Sequence, residues 1–296
     1  MKLLVIGHSV EDHIHIKGGH ELKPGGIFYS VLGLKSFLEE KDSLMLLTPM
    51  EKESESLFSP LYDSLKKDFF QYKGRIPRVN LYIPDNAERC ENYENLAENL
   101  DVNAIHELNS FDGILVNMIT GFDLRLEDLK FLRENFKGPV YMDVHTLSRG
   151  LGENNQREFR LIPRAMEWIR QVDMIQVNEN ELRTLSRKES EIEIAREVLQ
   201  TGLKCLIVTK GELGSKIYSL ENGELKSYFQ SAIKINCVNK VGCGDIFGAA
   251  FFTSYLKGKS LSEAARIANA AAGLTASYYE IKDFLKLKDD TFARFD

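Results

Sequence analysis

The sequence predicts an α/β protein with a doubly wound, mostly parallel sheet flanked by helices, and with a small β-sheet lid. Short apolar runs recur along the chain, separated by segments with helical periodicity. The runs are continuous rather than alternating, which is typical of parallel strands buried on both faces. Strands that alternate with helices favour the doubly wound arrangement. The runs span residues 3–7, 44–48, 114–118, 140–143, 174–177 and 206–209.

Two segments depart from this pattern and predict the lid. Residues 13–17 alternate polar and apolar side chains, and residues 79–83 are strand-like before a polar stretch that reaches Asn99. Alternation is typical of half-exposed antiparallel strands. We therefore expect lid strands inserted at about residues 12–24 and 78–95 of a single domain that spans residues 1–296.

The composition excludes several classes of protein. The formal net charge is −6, whereas a non-specific nucleic-acid binder usually presents a basic face. None of the four cysteines forms a C-x-x-C pair, which fits a reducing cytoplasm better than a disulfide framework. We see no signal peptide and no stretch approaching ~18 apolar residues. We therefore expect a cytoplasmic protein with neither nucleic acid nor membrane as a partner.

One glycine-rich segment, Val241-Gly242-Cys243-Gly244-Asp245, carries the strongest chemical signal. It follows a strand-like run at residues 233–238 and opens a helix. Glycines let the backbone approach a ligand, and a helix N-terminus offers free N–H groups that suit phosphate oxygens. A carboxylate there would repel phosphate unless it has another task, such as accepting a proton from an attacking hydroxyl. A glycine turn with an acidic helix cap is the simpler interpretation of this motif alone.

Two common nucleotide motifs do not fit this segment. Gly242, Gly244 and Gly248 resemble a dinucleotide fingerprint, but that motif opens a βαβ unit with an acidic residue about 20 positions later. Here a second helix is predicted instead, with Ser260 as its N-cap and Glu263 completing a capping box. A Walker A loop fails because no Lys-Ser/Thr pair follows the glycines.

With several other segments, the motif resembles the ribokinase/PfkB carbohydrate kinase family. The C-terminal signature of that family, D-T-x-G-A-G-D, is similar to residues 239–245. The other family marks occur in the same order and extend the resemblance over nearly the whole chain. They are the first strand with its substrate-binding aspartate (residues 7–12), a glycine pair (25–26), N-x-x-E (178–181), T-x-G-x-x-G (209–214) and an adenine-side helix at Asn269.

The resemblance implies a ribokinase-like fold and an ATP-dependent phosphotransferase with an alcohol group as acceptor. By this resemblance, Asp245 is the catalytic base. The amides of Gly242, Cys243 and Gly244 form the anion hole for the transferred phosphoryl group. This agrees with the general requirement of phosphoryl transfer for positioning and charge stabilisation.

The resemblance also assigns the two substrates to separate sets of residues. Asp12, Gly25 and Gly26 would bind the acceptor, and a carboxylate is a natural partner for two hydroxyl donors. Glu181 would order Mg²⁺, largely through water. The simpler interpretations are a helix cap at residues 178–181 and a glycine turn at residues 209–214. The residues expected to bind the ATP cofactor are Asn178, Thr209, Lys210, Gly211, Gly214 and Asn269.

The acceptor stays open at this point. A sugar, a polyol such as inositol, or a nucleoside would suit the family, and Phe28, Tyr29 and Tyr82 could form a pocket for a base. A catalytically silent ligand-binding relative is the alternative outside enzymes. We also expect a possible homodimer through the lid, since the edges of a small sheet invite pairing.

Three departures from the family pattern bear on the chemistry. Asn239 and Lys240 replace an aspartate and a threonine, which predicts that potassium is not required. Residues 143–146 depart from the family's Asp-x-Asn-x-Arg form, which argues against a phosphorylated sugar because an arginine clamp is missing. Cys243 stands where alanine is usual, either as a small apolar substitute or as a thiol with a lowered pKa.

Overall fold

The computed structural model describes residues 1–16, 19–72, 74–82, 90–96, 98–152 and 156–295. Within these ranges the chain forms a nine-stranded sheet, a separate four-stranded sheet and a two-stranded hairpin. The strands are β1 (Lys2–Ile6), β2 (Ser9–Ile16), β3 (Gly19–Gly26), β4 (Ser43–Met50), β5 (Phe70–Tyr72), β6 (Arg78–Tyr82), β7 (Cys90–Glu94), β8 (Gly113–Asn117), β9 (Val140–Asp143), β10 (Arg149–Leu151), β11 (Arg157–Phe159), β12 (Met174–Asn178), β13 (Cys205–Thr209), β14 (Gly214–Glu221) and β15 (Glu224–Ser231).

The nine-stranded sheet has the predicted doubly wound form. Its strand order is β15-β14-β13-β12-β9-β8-β1-β4-β5. The strands from β5 to β13 in this order pair in parallel, whereas β14 and β15 extend one edge as antiparallel strands. The chain runs outward from β1 in both directions, so the topological switch point lies beside β1. Open α/β sheets bind ligands at the carboxyl ends of the strands near such a point.

The separate four-stranded sheet is the predicted lid, in the order β3-β2-β6-β7. β2 pairs antiparallel with β3 and parallel with β6, and β6 pairs antiparallel with β7. Lys17 and Ile83, which end the two runs that predicted these strands, lie outside the described residues.

Helices cover both faces of the large sheet and close two apolar cores. One core joins the sheet to the helices α1, α7 and α8 and includes Phe28, Phe251 and Ala268. The other joins the opposite face to α3, α4 and α6 and includes Leu129, Trp168 and Val198. The α-helices are α1 (Phe28–Phe37), α2 (Glu55–Tyr62), α3 (Leu126–Asn135), α4 (Ala165–Ile169), α5 (Glu179–Leu182), α6 (Glu191–Leu199), α7 (Cys243–Leu256), α8 (Leu261–Ala276) and α9 (Leu287–Phe292).

The helix pair α7 and α8 begins as predicted, but the segment before it does not. Ser260 caps α8, and its N–H donates to Glu263 Oε2 at 3.0 Å, which confirms the predicted capping box. The strand predicted at residues 233–238 is wrong, because β15 ends at Ser231. The segment instead crosses the end of α8, where the N–H of Val238 donates to the Ala276 carbonyl at 2.7 Å.

None of the helices within the described part of the chain combines the length and apolar character that crossing a bilayer requires.

Candidate active site

The parallel strands bring polar residues to one edge of the large sheet. Asn117 ends β8 and pairs in register with Asp143, which ends β9. Asp143 also pairs with Gln176 of β12, and Asn178 at the end of β12 pairs with Thr209 of β13. The polar residues at the ends of these otherwise apolar strands therefore lie side by side at one edge of the sheet. The N-terminus of α7 lies against this line, since Gln176 Nε2 donates to the Gly244 carbonyl at 3.0 Å.

Gly242 sets the start of α7 in a conformation that suits only glycine. Its φ is +79°, and a Cβ built at this position would lie 2.4 Å from the ring of Tyr29. The first helical hydrogen bond runs from the Ile246 N–H to the Gly242 carbonyl at 2.9 Å. The amides of the intervening first turn therefore precede the helical ladder, as at any helix N-terminus. Such amides can hydrogen-bond an anion.

Asp245 is half-buried in this first turn, and two side chains orient it. Its Oδ1 accepts hydrogen bonds from Ser30 Oγ at 3.0 Å and from Asn117 Nδ2 at 2.6 Å. Burial raises the pKa of Asp245 above its ordinary value, although the charge of His145 and the two hydrogen bonds oppose the shift. A carboxyl group with a raised pKa, held in a fixed orientation, is suited to proton transfer near neutral pH.

A buried network beneath Gly244 supports the turn. Gln176 Nε2 donates to Asp143 Oδ2 at 2.9 Å as well as to the Gly244 carbonyl, and the hydroxyl of Tyr141 donates to Gln176 Oε1 at 2.7 Å. Burial raises the pKa of Asp143 well above its ordinary value, and the charges of Glu181 and Asp245 add to the shift. The network links the strand ends to the loop that carries the glycines.

A cavity of about 230 Å³ lies between the lid and the start of α7. Gly242, Gly244 and Asp245 form its floor, and lid strands form its roof. Burial, with the charges of Asp12 and Asp245, raises the pKa of Tyr29 to about 12, so its phenol stays protonated at neutral pH. The other polar lining residues are Asp12, Asp143, His145 and Lys240, and the apolar ones are Val10, Val79, Leu81, Tyr93, Ile119 and Val241.

The residues predicted to bind the acceptor lie together beside this cavity. Asp12 and Gly26 line it. Gly25 pairs in register with Val10 and lies against the side chain of Asp12. A Cβ at Gly25 would lie 2.3 Å from Asp12 Oδ2, so only glycine lets the carboxylate occupy this position. Gly26 has a φ of +64°, and a Cβ there would lie 2.1 Å from the His8 carbonyl oxygen.

Asn178 and Glu181 form a capping box at the start of α5. The Asn178 side chain accepts from the N–H groups of Asn180 and Glu181, both at 2.9 Å. Glu181 Oε2 accepts from the Asn178 N–H at 2.9 Å, and Oε1 accepts from Asn178 Nδ2 at 2.8 Å. Glu181 is buried, and this burial raises its pKa against the opposing charge of His145. The simpler interpretation of this motif, a helix cap, therefore holds structurally.

The predicted nucleotide loop connects β13 to β14. Lys210 Nζ pairs with Glu179 at 2.9 Å and with Glu191 at 2.6 Å, which anchors the loop to α5 and α6. Gly214 has a φ of +119°, and a Cβ there would lie 2.0 Å from the Gln230 carbonyl oxygen, so this glycine serves the strand pairing.

The open part of this loop lies at Gly211, where a Cβ would meet no atom within 4 Å. Thr209 Oγ1, at the start of the loop, donates to the Val177 carbonyl at 3.3 Å. An ion pair of 2.8 Å between Lys240 and Glu212 joins the nucleotide loop to the glycine segment at residues 239–245.

Asn269 holds α8 against the sheet. Its Nδ2 donates to Ser215 Oγ at 2.7 Å and to the Ala265 carbonyl at 2.9 Å, and the residue is buried. The amide that the family resemblance assigned to the cofactor is thus engaged in packing between α8 and β14.

The aromatic pocket considered for a nucleoside is only partly assembled. Tyr29 lines the cavity, but Phe28 is fully buried in the core beside Phe58. Tyr82 is 47% exposed and stacks on His15 of the lid. Helical periodicity could not have shown this, because α1 is buried around most of its circumference.

Burial also decides between the two interpretations of Cys243. It raises the pKa of the thiol to about 12, with further contributions from Cys237 and Asp245. The alternative of a lowered pKa at the helix N-terminus is therefore wrong, because loss of solvent outweighs the helix dipole here.

Sequence reasoning missed Ser30, Asn117 and Gln176 as parts of the site. The available signal was a polar residue inside or at the end of an apolar run, as at Asn117 after Ile114-Leu115-Val116. Ser30 gave the same signal, since it is a polar residue inside the otherwise apolar run at residues 27–32.

Comparison with known proteins agrees with this geometry. The sequence profile of the pfkB family carbohydrate kinases matches residues 117–285, which is more than half of the chain. The structure of ribokinase from Thermotoga maritima superposes with a TM-score of 0.74 at 16% identity, covering 99% of this chain and 98% of that chain. Ribokinase from Arabidopsis thaliana in complex with ribose and ATP gives 0.73 at 18% identity, with 97% and 98% covered.

A third similar structure is a pyrophosphate-dependent kinase of the ribokinase family, in complex with a pyrophosphate analogue and myo-inositol. It gives a TM-score of 0.75 at 18% identity and covers 93% of this chain and 95% of that chain. These matches confirm the ribokinase-like fold, and family and fold together imply a phosphotransferase. The chain belongs to the pfkB carbohydrate kinase family.

Proposed function

We propose that this protein transfers the γ-phosphoryl group of ATP to a hydroxyl of a neutral, sugar-like acceptor, with Asp245 as the catalytic base. The observation that carries the proposal is the placement of Asp245. It lies in the first turn of α7, is oriented by Ser30 and Asn117, and faces a cavity that the lid covers. A base, an anion-binding turn and a closed acceptor site are thereby combined in one place.

The chemistry follows from the donors and acceptors present. The acceptor hydroxyl gives its proton to the Asp245 carboxylate as its oxygen attacks the γ-phosphorus. The bond from that phosphorus to the bridging oxygen breaks, and ADP leaves with the electron pair. The first-turn amides of α7 hydrogen-bond the phosphoryl oxygens as their charge develops, which is the largest contribution expected from a preorganised site.

The lid contributes by excluding water. Val79 and Leu81 of β6 and Tyr93 of β7 present apolar side chains to the cavity. Water that reached the reacting phosphorus would compete with the acceptor, so an apolar roof favours transfer over hydrolysis.

Magnesium fits the acidic side of the site. Each Glu181 carboxylate oxygen accepts one hydrogen bond from Asn178 and keeps a lone pair that can accept from a magnesium-bound water. A nearby cation would favour the charged form of this buried group. Mg²⁺ usually keeps several waters and takes one or two carboxylates. The described residues include no cluster of three or more metal-ligating side chains. Mg²⁺ held there by Glu181 through water would offset the negative charge of the donor phosphates.

The donor nucleotide is assigned to the loop at residues 209–214 and its neighbours. The open backbone at Gly211 and the Lys240–Glu212 ion pair support this assignment, since they place the loop next to the anion-binding turn. Asn178 and Asn269 then serve the nucleotide site by fixing the elements that form it.

The charge of the cavity favours a neutral acceptor. The carboxylates of Asp12 and Asp245 line it together, so a phosphorylated sugar would meet repulsion. The apolar wall formed by Val79, Leu81 and Tyr93 favours a nucleoside as the second candidate, because a base could pack against it.

A panel of acceptors tests the proposal. Sugars, polyols and nucleosides are incubated with the protein and Mg-ATP, and the phosphorylated product is identified by mass spectrometry. Pyrophosphate serves as an alternative donor, because one similar structure is that of a pyrophosphate-dependent kinase. We expect transfer from ATP to one neutral class of acceptor, without a several-fold increase when potassium replaces sodium. ATP binding without transfer to any acceptor would indicate a silent relative.

A further inference from the structure

His145 adopts a backbone conformation that is costly for its side chain. Its φ is +38°, in the left-handed region that side-chain-bearing residues rarely adopt. The turn is fixed on both sides, since the Thr146 N–H donates to the Met118 carbonyl at 3.0 Å and Ser148 Oγ donates to the His145 carbonyl. Backbone strain of this kind is often found where a side chain has a task at a functional site.

The imidazole of His145 is held by one nitrogen and lines the cavity. Nδ1 lies 2.7 Å from Thr146 Oγ1, and no described residue forms a hydrogen bond with Nε2. The ring shares the cavity with Gly244 and Asp245. Nε2 is therefore the ring atom left for a ligand.

His145 lines the same cavity as Asp245, the proposed base. A positive charge on its ring is the largest influence that lowers the pKa of Asp245, which agrees with this placement. Lys240, a cationic side chain that also lines the cavity, pairs with Glu212 at 2.8 Å.

We propose that His145 Nε2 donates a hydrogen bond to the phosphoryl group while it passes from donor to acceptor, alongside the first-turn amides of α7. The inference rests on the proposed function and adds a residue to it. His145 keeps its proton throughout, so Asp245 remains the only group that gains one. The hydrogen bond is strongest when the phosphoryl oxygens carry most charge, so His145 acts on kcat more than on substrate binding.

Two substitutions separate this role from a purely structural one. Asparagine tolerates a left-handed backbone and its amide reaches the position of Nδ1, so His145→Asn preserves the turn and removes only Nε2. Glutamine is longer, and its amide nitrogen reaches the position of Nε2. His106→Asn, at an exposed histidine outside the cavity, is the matched control.

The test combines turnover with binding of a transition-state mimic. Turnover is measured with Mg-ATP and the acceptor identified by the panel. Binding of Mg-ADP is measured with and without aluminium fluoride, which imitates the phosphoryl group in transfer. We expect His145→Asn to lower kcat about 100-fold and to lose the fluoride-dependent gain in ADP affinity. The KM values and the unfolding midpoint should stay close to those of the wild type. The logarithm of kcat for His145→Gln should lie at least a third of the way from the value for His145→Asn back to that of the wild type.

Several results would overturn the inference. His145→Asn with wild-type kcat and an unchanged fluoride effect excludes a contact with the phosphoryl group, as does a wild-type protein that binds ADP without any fluoride effect. A loss of kcat that His145→Gln does not restore, accompanied by a lower unfolding midpoint, assigns His145 to the turn alone. A wild-type protein that does not bind ADP contradicts the proposed function itself, and the inference with it.

Discussion

The two halves of the site use their polar side chains differently. On the acceptor side, Asp12, Asp143, His145 and Asp245 line a cavity between the lid and α7. On the donor side, the polar atoms are engaged with one another. Asn178 and Glu181 complete a capping box, and Lys210 pairs with two glutamates.

This difference distinguishes two roles that a residue matching a family motif can have. A matched residue that faces a cavity can contact a substrate, whereas a matched residue whose polar atoms are satisfied by its neighbours stabilises the element that carries the site. Substitutions on the acceptor side should therefore reduce turnover while the fold persists. Substitutions on the donor side should reduce stability first, because they leave buried partners unsatisfied.

Asp245→Asn should produce the largest effect. Normal turnover by this variant would contradict the difference between the acceptor and donor sides. We expect kcat to fall roughly 10²–10⁴-fold, the usual share of a general base. Because burial raises the pKa of Asp245, its contribution to stability is present at low pH and is lost as pH rises through that raised value. The asparagine variant should therefore unfold at a higher denaturant concentration than the wild type at neutral pH, with a smaller difference in acid.

The matched control is Asp68→Asn, at an exposed aspartate remote from the cavity. It should leave both turnover and stability unchanged. Near-normal turnover by Asp245→Asn would remove this residue from the mechanism.

Gly242→Ala should have the next largest effect. The new Cβ would lie 2.4 Å from the ring of Tyr29, so the turn whose amides we propose bind the phosphoryl group must shift. A displacement of about 1 Å can cost on the order of 100-fold in rate, and we expect a loss of this size in kcat. Initial-rate kinetics with saturating Mg-ATP would measure it.

Gly258→Ala is the control for backbone strain. Gly258 follows the other end of α7 with a φ of +81°, but a Cβ there would meet no atom within 4 Å. It should lower the unfolding free energy by about 1 kcal/mol and leave kcat unchanged. Equal losses of kcat in the two variants would show that helix stability, not the position of the turn, limits catalysis.

Asn178→Ala tests whether a substitution on the donor side affects stability more than turnover. It removes the helix cap and leaves the buried Glu181 carboxylate without one donor. We expect the unfolding free energy to fall by about 2–3 kcal/mol, while kcat per folded molecule changes less than about tenfold. Ser190→Ala removes the cap of an exposed capping box on α6 and should cost only about 1 kcal/mol. A loss of kcat as large as that of Asp245→Asn, with normal stability, would place Asn178 among the catalytic residues.

The smallest effect concerns the thiol beside the anion-binding turn. Burial raises the pKa of Cys243 to about 12, so little thiolate is present at pH 8. Iodoacetamide should modify the exposed Cys237 before Cys243, as followed by peptide mass mapping. Faster modification of Cys243 would show that the turn opens to solvent more than the structure indicates.

Much of the fold could be predicted from sequence because buried parallel strands leave an unambiguous pattern. The runs at residues 140–143 and 174–177, for example, correspond to β9 and β12 within one residue. The strand predicted at residues 233–238 failed because apolar residues also cover helices, and here Ile233 packs on Gly273 of α8.

The candidate site was likewise predictable only in part from the sequence. The glycine turn and Asp245 could be found because they are contiguous. Asn117 and Gln176 instead reach the site through strand register, and Ser30 reaches it from helix α1. Spacing along the chain cannot show such contacts. Nor could it show that Cys243 is buried enough for desolvation to outweigh the helix dipole, since that depends on the packing of several elements.

The dependence of kcat/KM on pH tests the role of Asp245 most directly. The carboxylate form is the base, so activity should fall as pH decreases through the pKa of Asp245, which burial raises above that of an exposed aspartate. We predict an acid limb above the ordinary aspartate range that is absent from the residual activity of Asp245→Asn. The same limb in both proteins would contradict the assignment of Asp245 as the base.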